Sequence, residues 1–199
     1  MRRFVIASKN NGKLKEIEEI LEGLPLKVVS MEQAGIRKDV IESGKTFEEN
    51  ALIKAREVHN ICGEVVMADD SGLEVDFLNG APGIYSSRFA GEHANDIDRN
   101  NKLLSILKGI PIGKRGARFV CVIALVFPGG KEFIMRGELK GFIGTEPKGN
   151  NGFGYDPLFF IPEYNMTSAQ MDPGMKHRIS HRGKALKMMV ERIKTELGT

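Results

Sequence analysis

Two long β-type segments separated by only four residues constrain the fold of this chain more than any other feature. Residues 117–127 and 132–143 are rich in branched and aromatic side chains, which favour strands. The sequence Pro128-Gly129-Gly130-Lys131 lies between them and is typical of a turn. We therefore expect an antiparallel hairpin in the second half of the chain.

Strands and helices alternate in the first half of the chain. The predicted elements are a strand over residues 4–7, a helix with Leu14, Ile17 and Leu21 on its apolar face, a strand over 26–30, a helix over 47–61 and a strand over 65–68. Thr46 and Glu49 form a predicted capping box at the start of the second helix. Strands that alternate with helices favour parallel pairing.

The remaining segments add a helix over 96–107, a strand over 157–161 and a C-terminal helix. One face of this last helix carries Ala185, Leu186, Met189, Val190 and Ile193. No repeat or linker divides the chain. The sequence predicts one mixed α/β domain over residues 1–199, with parallel pairing near its N-terminal end and antiparallel pairing in the middle.

Composition and charge exclude several classes of protein. The 29 Lys and Arg residues against 26 Asp and Glu residues leave a net charge of +3 without a basic block, so we expect no nucleic-acid partner. The first apolar run has four residues, too short for a signal peptide or a membrane span, so we expect a cytoplasmic protein without membrane contact. Cys62 and Cys121 belong to no metal-binding pattern, and we expect both to be reduced and buried.

The segment from Ser8 to Lys13 leaves the first predicted strand and opens the first predicted helix. Free amides and the helix dipole at such a position favour a bound anion, and Lys9 and Lys13 add two cations. A plain helix cap with solvated lysines explains the same residues.

The sequence Gly44-Lys45-Thr46 imitates the end of a P-loop. A P-loop needs a glycine five residues before Gly44, where this chain has Asp39. No Gly-x-Gly-x-x-Gly fingerprint follows the first strand either. The sequence therefore excludes both of these common nucleotide-binding motifs.

Three carboxylates are candidates for a metal site. Asp69 and Asp70 follow the apolar stretch 65–68 at its predicted end, and Glu42 precedes the second helix. Carboxylates beside an interior strand are costly unless they are paired or metal-bound, and oxygen ligands suit Mg²⁺ or Mn²⁺. Because successive strand residues point to opposite sides, one of the pair would face a ligand and the other would brace the turn. Surface carboxylates in a turn remain the alternative.

Two clusters in the last third of the chain have the chemistry to bind a nucleotide. Lys176, His181 and Arg182 lie in a short segment rich in His and Arg, which suits a nucleotide or a solvated basic loop equally. The sequence Phe153-Gly154-Tyr155-Asp156 places aromatic rings beside glycines, as in a base-stacking loop or an ordinary turn that enters the core.

Six segments occur in order along nearly the whole chain. They are Ser8-Lys9-Asn10-Asn11-Gly12-Lys13, Thr46-Phe47-Glu48-Glu49-Asn50-Ala51 with Lys54, Ala68-Asp69-Asp70-Ser71-Gly72-Leu73, Gly80-Ala81-Pro82-Gly83-Ile84-Tyr85-Ser86, Gly152-Phe153-Gly154-Tyr155-Asp156-Pro157 and Ser180-His181-Arg182-Gly183. Together they resemble the motifs of the inosine triphosphate pyrophosphatase family, the XTP/dITP diphosphatases that remove deaminated purine nucleotides from the nucleotide pool. That family often has Thr and Gly at the positions of Ser8 and Lys9.

The resemblance implies a curved mixed β-sheet with flanking helices, two lobes around a nucleotide cleft, and a homodimer. It also implies Mg²⁺-dependent hydrolysis of a small purine nucleotide between its α- and β-phosphates, with Mn²⁺ as a substitute metal. By the same resemblance, Asp70 is the catalytic proton acceptor, and Glu42, Asp69 and Asp70 serve the metal. The implied substrate-binding residues are Ser8, Lys9, Asn10, Asn11, Gly12, Lys13, Lys54, Ser71, Phe153, Gly154, Tyr155, Asp156, Lys176, His181 and Arg182.

Two other functions remain open from the sequence alone. A related house-cleaning pyrophosphatase that acts on pyrimidine nucleotides normally begins with Ser-x-Ser-Pro-Arg-Arg, which residues 8–13 do not match. A nucleotide- or RNA-binding module without turnover would use the basic residues from Lys176 to Arg182. Selectivity for a 6-keto purine needs hydrogen-bond donors aimed at the base, either amides near Phe153 or the pair His181 and Arg182.

Overall fold

The structure is a computed structural model that describes residues 3–23 and 26–198. Its strands are β1 (Arg3–Ile6), β2 (Lys27–Ser30), β3 (Val65–Val75), β4 (Gly116–Val126), β5 (Glu132–Ile143), β6 (Phe159–Ile161) and β7 (Met166–Thr167). Its α-helices are α1 (Asn11–Leu21), α2 (Phe47–Cys62), α3 (Asp96–Ile106), α4 (Pro173–Ile179) and α5 (His181–Leu197). The sequence Gly23-Leu24-Pro25 predicts the end of the first helix, and residues 24 and 25 of it lie outside the described residues.

Within the described residues, the strands form one seven-stranded sheet in the order β2-β1-β3-β4-β5-β6-β7. β1 is parallel to both β2 and β3, which confirms the parallel pairing predicted for the N-terminal end. β4 and β5 are neighbours joined by a short turn in which Phe127 N–H donates to the Lys131 carbonyl, as predicted for a hairpin. β5, β6 and β7 pair in antiparallel fashion. The mixed sheet with flanking helices is therefore confirmed.

The chain divides into two compact units. Unit 1 comprises Met1–Asp70, Cys121–Gly137 and Arg182–Thr199, and unit 2 comprises Ser71–Val120 and Glu138–His181. The core of unit 1 packs α1 and α5 against β1, β3 and β4, and the predicted apolar face of α5 is buried at Ala185, Leu186, Met189 and Ile193. The core of unit 2 is centred on Leu73, Leu103, Phe119, Leu158 and Phe159.

The third strand is longer than predicted, and this moves the acidic pair. β3 continues through Asp69 and Asp70 to Val75, so the two carboxylates lie within a strand and not in a turn after it. Leu73 and Val75 are fully buried and alternate along the strand, which gives β3 a second interior stretch after the polar residues. The predicted end of this strand at Ala68 was wrong, because burial of the later residues outweighs the local polarity of residues 69–71.

Two smaller predictions were also wrong. Cys62 is only partly buried at the end of α2, whereas Cys121 is fully buried as expected. Thr46 accepts the Glu49 N–H at 3.1 Å as predicted, but the Glu49 carboxylate reaches back to the Lys45 N–H and not to that of Thr46.

Candidate active site

The loop before α1 acts as a helix cap and also directs one lysine inward. The Asn10 side chain accepts the Lys13 N–H at 3.0 Å, and Ser8 Oγ accepts the Asn10 N–H at 3.2 Å. Lys9 is half-exposed and pairs with Asp39, which fastens the segment around Asp39 to this loop. Lys13 Nζ lies 3.1 Å from Asp69 Oδ1, so of the two loop lysines Lys13 is the one that joins the buried acidic pair.

Asp69 is bound by two cations inside unit 1. Its side chain is fully buried, and Arg182 Nε and Nη2 both lie 3.4 Å from Oδ2. The Cys121 thiol also lies 3.8 Å from Oδ2. Burial alone would raise the pKa of Asp69, but attraction to Lys13, Arg182 and Lys54 outweighs it and holds the pKa well below its ordinary value. Asp69 is therefore a fixed anion at any physiological pH.

Arg182 holds a second carboxylate that sequence analysis missed. Its guanidinium pairs with Glu16 of α1 as well as with Asp69, and only 2% of the residue is exposed. Burial lowers the pKa of Arg182, but Asp69 and Glu16 more than compensate and raise it. The spacing of Lys13 and Glu16, three residues apart on one helix, was the available signal, because it places opposite charges on the same face.

Asn50 and Lys54, four residues apart on α2, both bind the segment that precedes this helix. Lys54 Nζ lies 2.6 Å from Glu42 Oε1 and donates to the Asp69 carbonyl at 3.0 Å. Asn50 is fully buried and accepts the Gly44 N–H at 2.8 Å. A Cβ on Gly44 would lie 2.6 Å from that of Glu49, so only glycine lets this segment approach the helix. The segment that carries Glu42 is thereby held against α2.

Asp70 has the opposite pKa shift to Asp69. Burial raises its pKa to about 6; the negative charges of Glu42 and Asp69 add to this, against the opposing effect of Lys13 and Lys54. For Lys54, burial lowers the pKa, but the three nearby acids Glu42, Asp69 and Asp70 together raise it above its ordinary value. Burial therefore decides the direction of the pKa shift at Asp70, and the neighbouring acids decide it at Lys54.

The carboxylates of Glu42 and Asp70 suit a hard divalent cation, which prefers oxygen ligands. Glu42 and Asp70 supply carboxylate oxygens, and Mg²⁺ is usually held by one or two carboxylates together with substrate phosphates. Within residues 3–23 and 26–198, no three His, Cys, Asp or Glu side chains are grouped closely enough to hold a metal ion by themselves. Glu42 and Asp70 fit a cation that takes its remaining ligands from water and substrate phosphates.

In unit 2, the predicted aromatic loop is built around Asp156. The Asp156 carboxylate is 3% exposed on a whole-residue basis, and its Oδ2 accepts the Phe153 N–H at 2.9 Å and Lys176 Nζ at 2.7 Å. Lys176 Nζ lies 5.3 Å from the centroid of the Phe153 ring. Gly152 has φ +77°, and a Cβ there would overlap Asp156 Oδ2. Phe153, Asp156 and Lys176 are thus brought together as predicted.

Other predicted residues of unit 2 serve as anchors. The Tyr155 hydroxyl donates to the Ser86 carbonyl at 2.9 Å, and burial raises its pKa above the ordinary value. His181 is 7% exposed and stacks on Phe119 with ring centroids 4.8 Å apart. Ser71 is partly buried in β3. Tyr155 therefore presents its hydroxyl to the protein interior, so its part in the loop is structural.

Two residues of α3 that the sequence analysis did not single out bind the same loop. Asp96 Oδ2 accepts the Gly154 N–H at 2.7 Å, and Asn100 Nδ2 donates to the Gly154 carbonyl at 3.0 Å. Local sequence gives no sign of these contacts, since 54 positions separate Asn100 from Gly154.

Each helix among the described residues is too short or too polar to cross a membrane.

Comparisons with known proteins show what this chain is similar to over nearly its whole length. The sequence profile of the Ham1 family matches residues 4–192. A dITP/XTP pyrophosphatase of Clostridium perfringens is 51% identical, and the match covers 98% of each chain. A dITP/XTP pyrophosphatase of Geobacter sulfurreducens is 50% identical, with 97% of each chain covered. The structure of a HAM1 protein from Coxiella burnetii superposes with a TM-score of 0.89 at 42% identity, covering 98% of this chain and all of that one.

Proposed function

The chain belongs to the Ham1 family, and from this membership we propose that it hydrolyses deaminated purine nucleoside triphosphates, namely dITP, ITP and XTP, to the monophosphate and pyrophosphate. The observation that carries the proposal is near full-length identity of about half to enzymes named for this activity. The buried acids and lysines of unit 1 support it, because phosphoryl chemistry depends mainly on positioning and charge neutralisation.

The phosphate end of the substrate is assigned to unit 1. Lys13 and Lys54 carry the positive charge that a triphosphate needs, and the amides at the start of α1 add to it. Asp69 and Arg182 hold Lys13 and each other in place and do not need to touch the substrate for this role. The residues from Ser8 to Gly12 complete the predicted phosphate loop.

Asp70 is the proposed proton acceptor. A pKa of about 6 leaves it ionised at neutral pH yet basic enough to take a proton from the attacking water. Glu42 and Asp70 are the proposed ligands of Mg²⁺, for which Mn²⁺ would substitute; Asp69 is a weaker candidate because its carboxylate already binds Lys13 and Arg182. When bound, Mg²⁺ would neutralise phosphate charge and lower the pKa of the water.

The nucleoside end is assigned to unit 2, where Phe153 and Lys176 present a ring and a cation, and Ser71 and His181 are further candidates. The Phe153 N–H donates to Asp156 of the same loop, and the Gly154 N–H donates to Asp96 of α3. These two amides are therefore poorly placed to recognise the 6-keto oxygen, and side-chain donors are the better candidates. A site that hydrogen-bonds the keto group rejects an amino group by up to about 10⁴-fold.

The test is hydrolysis of a nucleotide panel in H₂¹⁸O. With Mg²⁺ present, ITP, dITP and XTP should release pyrophosphate much faster than ATP or GTP, and Asp70→Asn should abolish the release. Attack at the α-phosphate would place the label in the monophosphate, whereas attack at the β-phosphate would place it in pyrophosphate. Turnover of ATP or GTP equal to that of ITP would contradict the selectivity.

Three further features rest on family resemblance. We propose that both units together form the single pyrophosphohydrolase domain, that the enzyme is a homodimer, and that it acts on the nucleotide pool of the cytoplasm without nucleic-acid or membrane partners. Multi-angle light scattering tests the dimer: a mass near 44 kDa, twice the chain mass of 22.0 kDa, is the expected result.

A further inference from the structure

The start of α3 binds both peptide groups that flank Gly154. The N–H of Gly154 belongs to its peptide bond with Phe153, and this N–H donates to Asp96 at 2.7 Å. The carbonyl of Gly154 belongs to its peptide bond with Tyr155, and this carbonyl accepts from Asn100 at 3.0 Å. Asp96 and Asn100 are four residues apart on one helix, so they face the same side.

Gly154 is the point at which this loop could most easily change shape. Its φ is +63°, and apart from its chain neighbours no atom lies within 4 Å of the position that a Cβ would take. Side-chain packing therefore does not restrict the backbone at this residue. Glycine visits both positive and negative φ readily, and a rotation at Gly154 would move the Phe153 ring that precedes it. The two hydrogen bonds from α3 therefore fix the least constrained residue of the loop.

The burial of the Asn100 side chain destabilises the folded protein in one respect, which indicates a specific role for this residue. The residue is 7% exposed, and among the described residues its Oδ1 has no hydrogen-bond partner. A buried amide oxygen without a partner destabilises the folded state, so an asparagine at such a position indicates that its other polar group is needed. That group, Nδ2, is the donor to Gly154.

We propose that Asp96 and Asn100 are positioning residues that set the selectivity of the enzyme for the purine base, by fixing the Phe153 loop through Gly154. This inference rests on the proposed function, since it assigns the loop to the nucleoside end of the substrate. The other contacts of the loop bind the residues on either side of Gly154: Asp156 accepts from the Phe153 N–H and from Lys176, and Tyr155 donates to Ser86. Asp96 and Asn100 bind the peptide groups of Gly154 between them.

The decisive variant is Asn100→Asp, with Asn101→Asp as its matched control. Both introduce the same charge on the same helix, but Asn101 is exposed, whereas residue 100 faces the Gly154 carbonyl. An aspartate at position 100 keeps the shape of the side chain, removes the donor and places a carboxylate against a carbonyl oxygen. The measurements are kcat and KM for ITP and for ATP, and inhibition by inorganic tripolyphosphate, which has no base.

For Asn100→Asp we expect KM for ITP to rise about tenfold and the preference for ITP over ATP to fall by a similar factor. The kcat for ITP should stay within about twofold, because the proton acceptor and the lysines of unit 1 are unchanged. Inhibition by tripolyphosphate should also be unchanged. Asn101→Asp should match the wild type in every measurement.

An unchanged ratio of kcat/KM for ITP and ATP in Asn100→Asp would overturn the proposal, as would a fall in kcat without loss of selectivity. If Asn100→Asp does not fold, the decision passes to Asn100→Ala, which removes the donor together with the unpartnered oxygen. The wild-type assay separates this inference from the proposed function: a wild type that releases no pyrophosphate from any nucleotide contradicts the function itself.

Discussion

Asp69 and Asp70 are neighbours in β3, yet their pKa values move in opposite directions. Asp69 binds Lys13 and Arg182, which hold its pKa well below the ordinary value despite complete burial. For Asp70, burial dominates and raises the pKa to about 6. The alternation of side chains along a strand gives adjacent residues different surroundings, so one peptide segment supplies a permanent anion and a group that exchanges protons near neutral pH.

The raised pKa of Asp70 predicts that Asp70→Asn stabilises the protein. Because the folded pKa is about 6 and the unfolded value is near 4, the folded state binds more protons between these pH values. Stability contributed by Asp70 is therefore present at low pH and lost as pH rises through about 6. Replacement by Asn should raise the free energy of unfolding by up to about 2–3 kcal/mol at pH 7.5. Urea unfolding at pH 5 and pH 7.5 measures this.

Asp69→Asn is the matched control, with the opposite sign. The depressed pKa of Asp69 means that its charge stabilises the folded protein at neutral pH. This variant should lose stability at pH 7.5, because Arg182 and Lys13 would face a neutral amide. A gain in stability for both variants, or for neither, would contradict the assignment of opposite pKa shifts.

Mg²⁺ should stabilise the wild type through the same carboxylates. A cation at Glu42 and Asp70 favours the charged form of Asp70, whose pKa is raised mainly by burial and further by repulsion from Glu42 and Asp69. Adding Mg²⁺ in the absence of nucleotide should raise the Tm of the wild type, and Glu42→Gln and Asp70→Asn should each reduce this rise. Chelation with EDTA should abolish pyrophosphate release from ITP, and Mg²⁺ or Mn²⁺ should restore it. Equal Tm shifts in wild type and both variants would place the cation elsewhere.

Replacement of Arg182 should destabilise the protein more than the loss of any exposed ion pair. Its guanidinium is bound by Asp69 and Glu16, both largely buried, and removal of one partner from such a group leaves charge without compensation. We expect Arg182→Met to lower the free energy of unfolding by about 3–5 kcal/mol. Glu16→Gln should cost less because Asp69 remains. Chemical unfolding measures both.

Variants of Glu16 and Arg182 distinguish a structural role of Arg182 from the predicted contact with the nucleotide. If the role is to hold Asp69, then Glu16→Gln and Arg182→Lys should change stability and kcat together, with KM for ITP little affected. A large rise in KM for ITP with unchanged stability would instead favour direct contact with the base. Arg136→Gln is a suitable control, because its pairing with Glu48 is exposed and worth about 0–1 kcal/mol.

Sequence alone predicted the features that depend on local pattern. The alternation of strands and helices and the hairpin of β4 and β5 follow from hydrophobic patterns and turn residues that lie close together in the chain. The chemistry of the residues also singled out the acidic pair and the loop at Phe153, and the motif resemblance assigned roles to them. The third strand was predicted to end at Ala68 because a short polar stretch follows it, whereas burial of Leu73 and Val75 continues β3 through that stretch.

The contacts that sequence could not predict join elements far apart in the chain. Glu16 and Arg182 are 166 positions apart, and Asn100 and Gly154 are 54 apart. Periodicity shows which face of a helix is buried but not which residue it meets there. Asp39 is a related case, since it excluded a P-loop in the sequence and proved to be the partner of Lys9.

Gly152 should tolerate no side chain, because its space is already taken by the ion pair beside it. A Cβ at this position would overlap Asp156 Oδ2 and lie 3.0 Å from Lys176 Nζ, both of which are buried and paired with each other. Gly152 also has a positive φ, which by itself strains an alanine by about 1 kcal/mol. Gly80 has φ +88° with no atom near its Cβ position, so Gly80→Ala isolates that strain. Gly152→Ala should therefore destabilise the protein by at least about 2 kcal/mol more than Gly80→Ala, and should raise KM for ITP. Urea unfolding and steady-state kinetics of the two variants measure this difference; equal losses would show that the Asp156 and Lys176 pair can move aside.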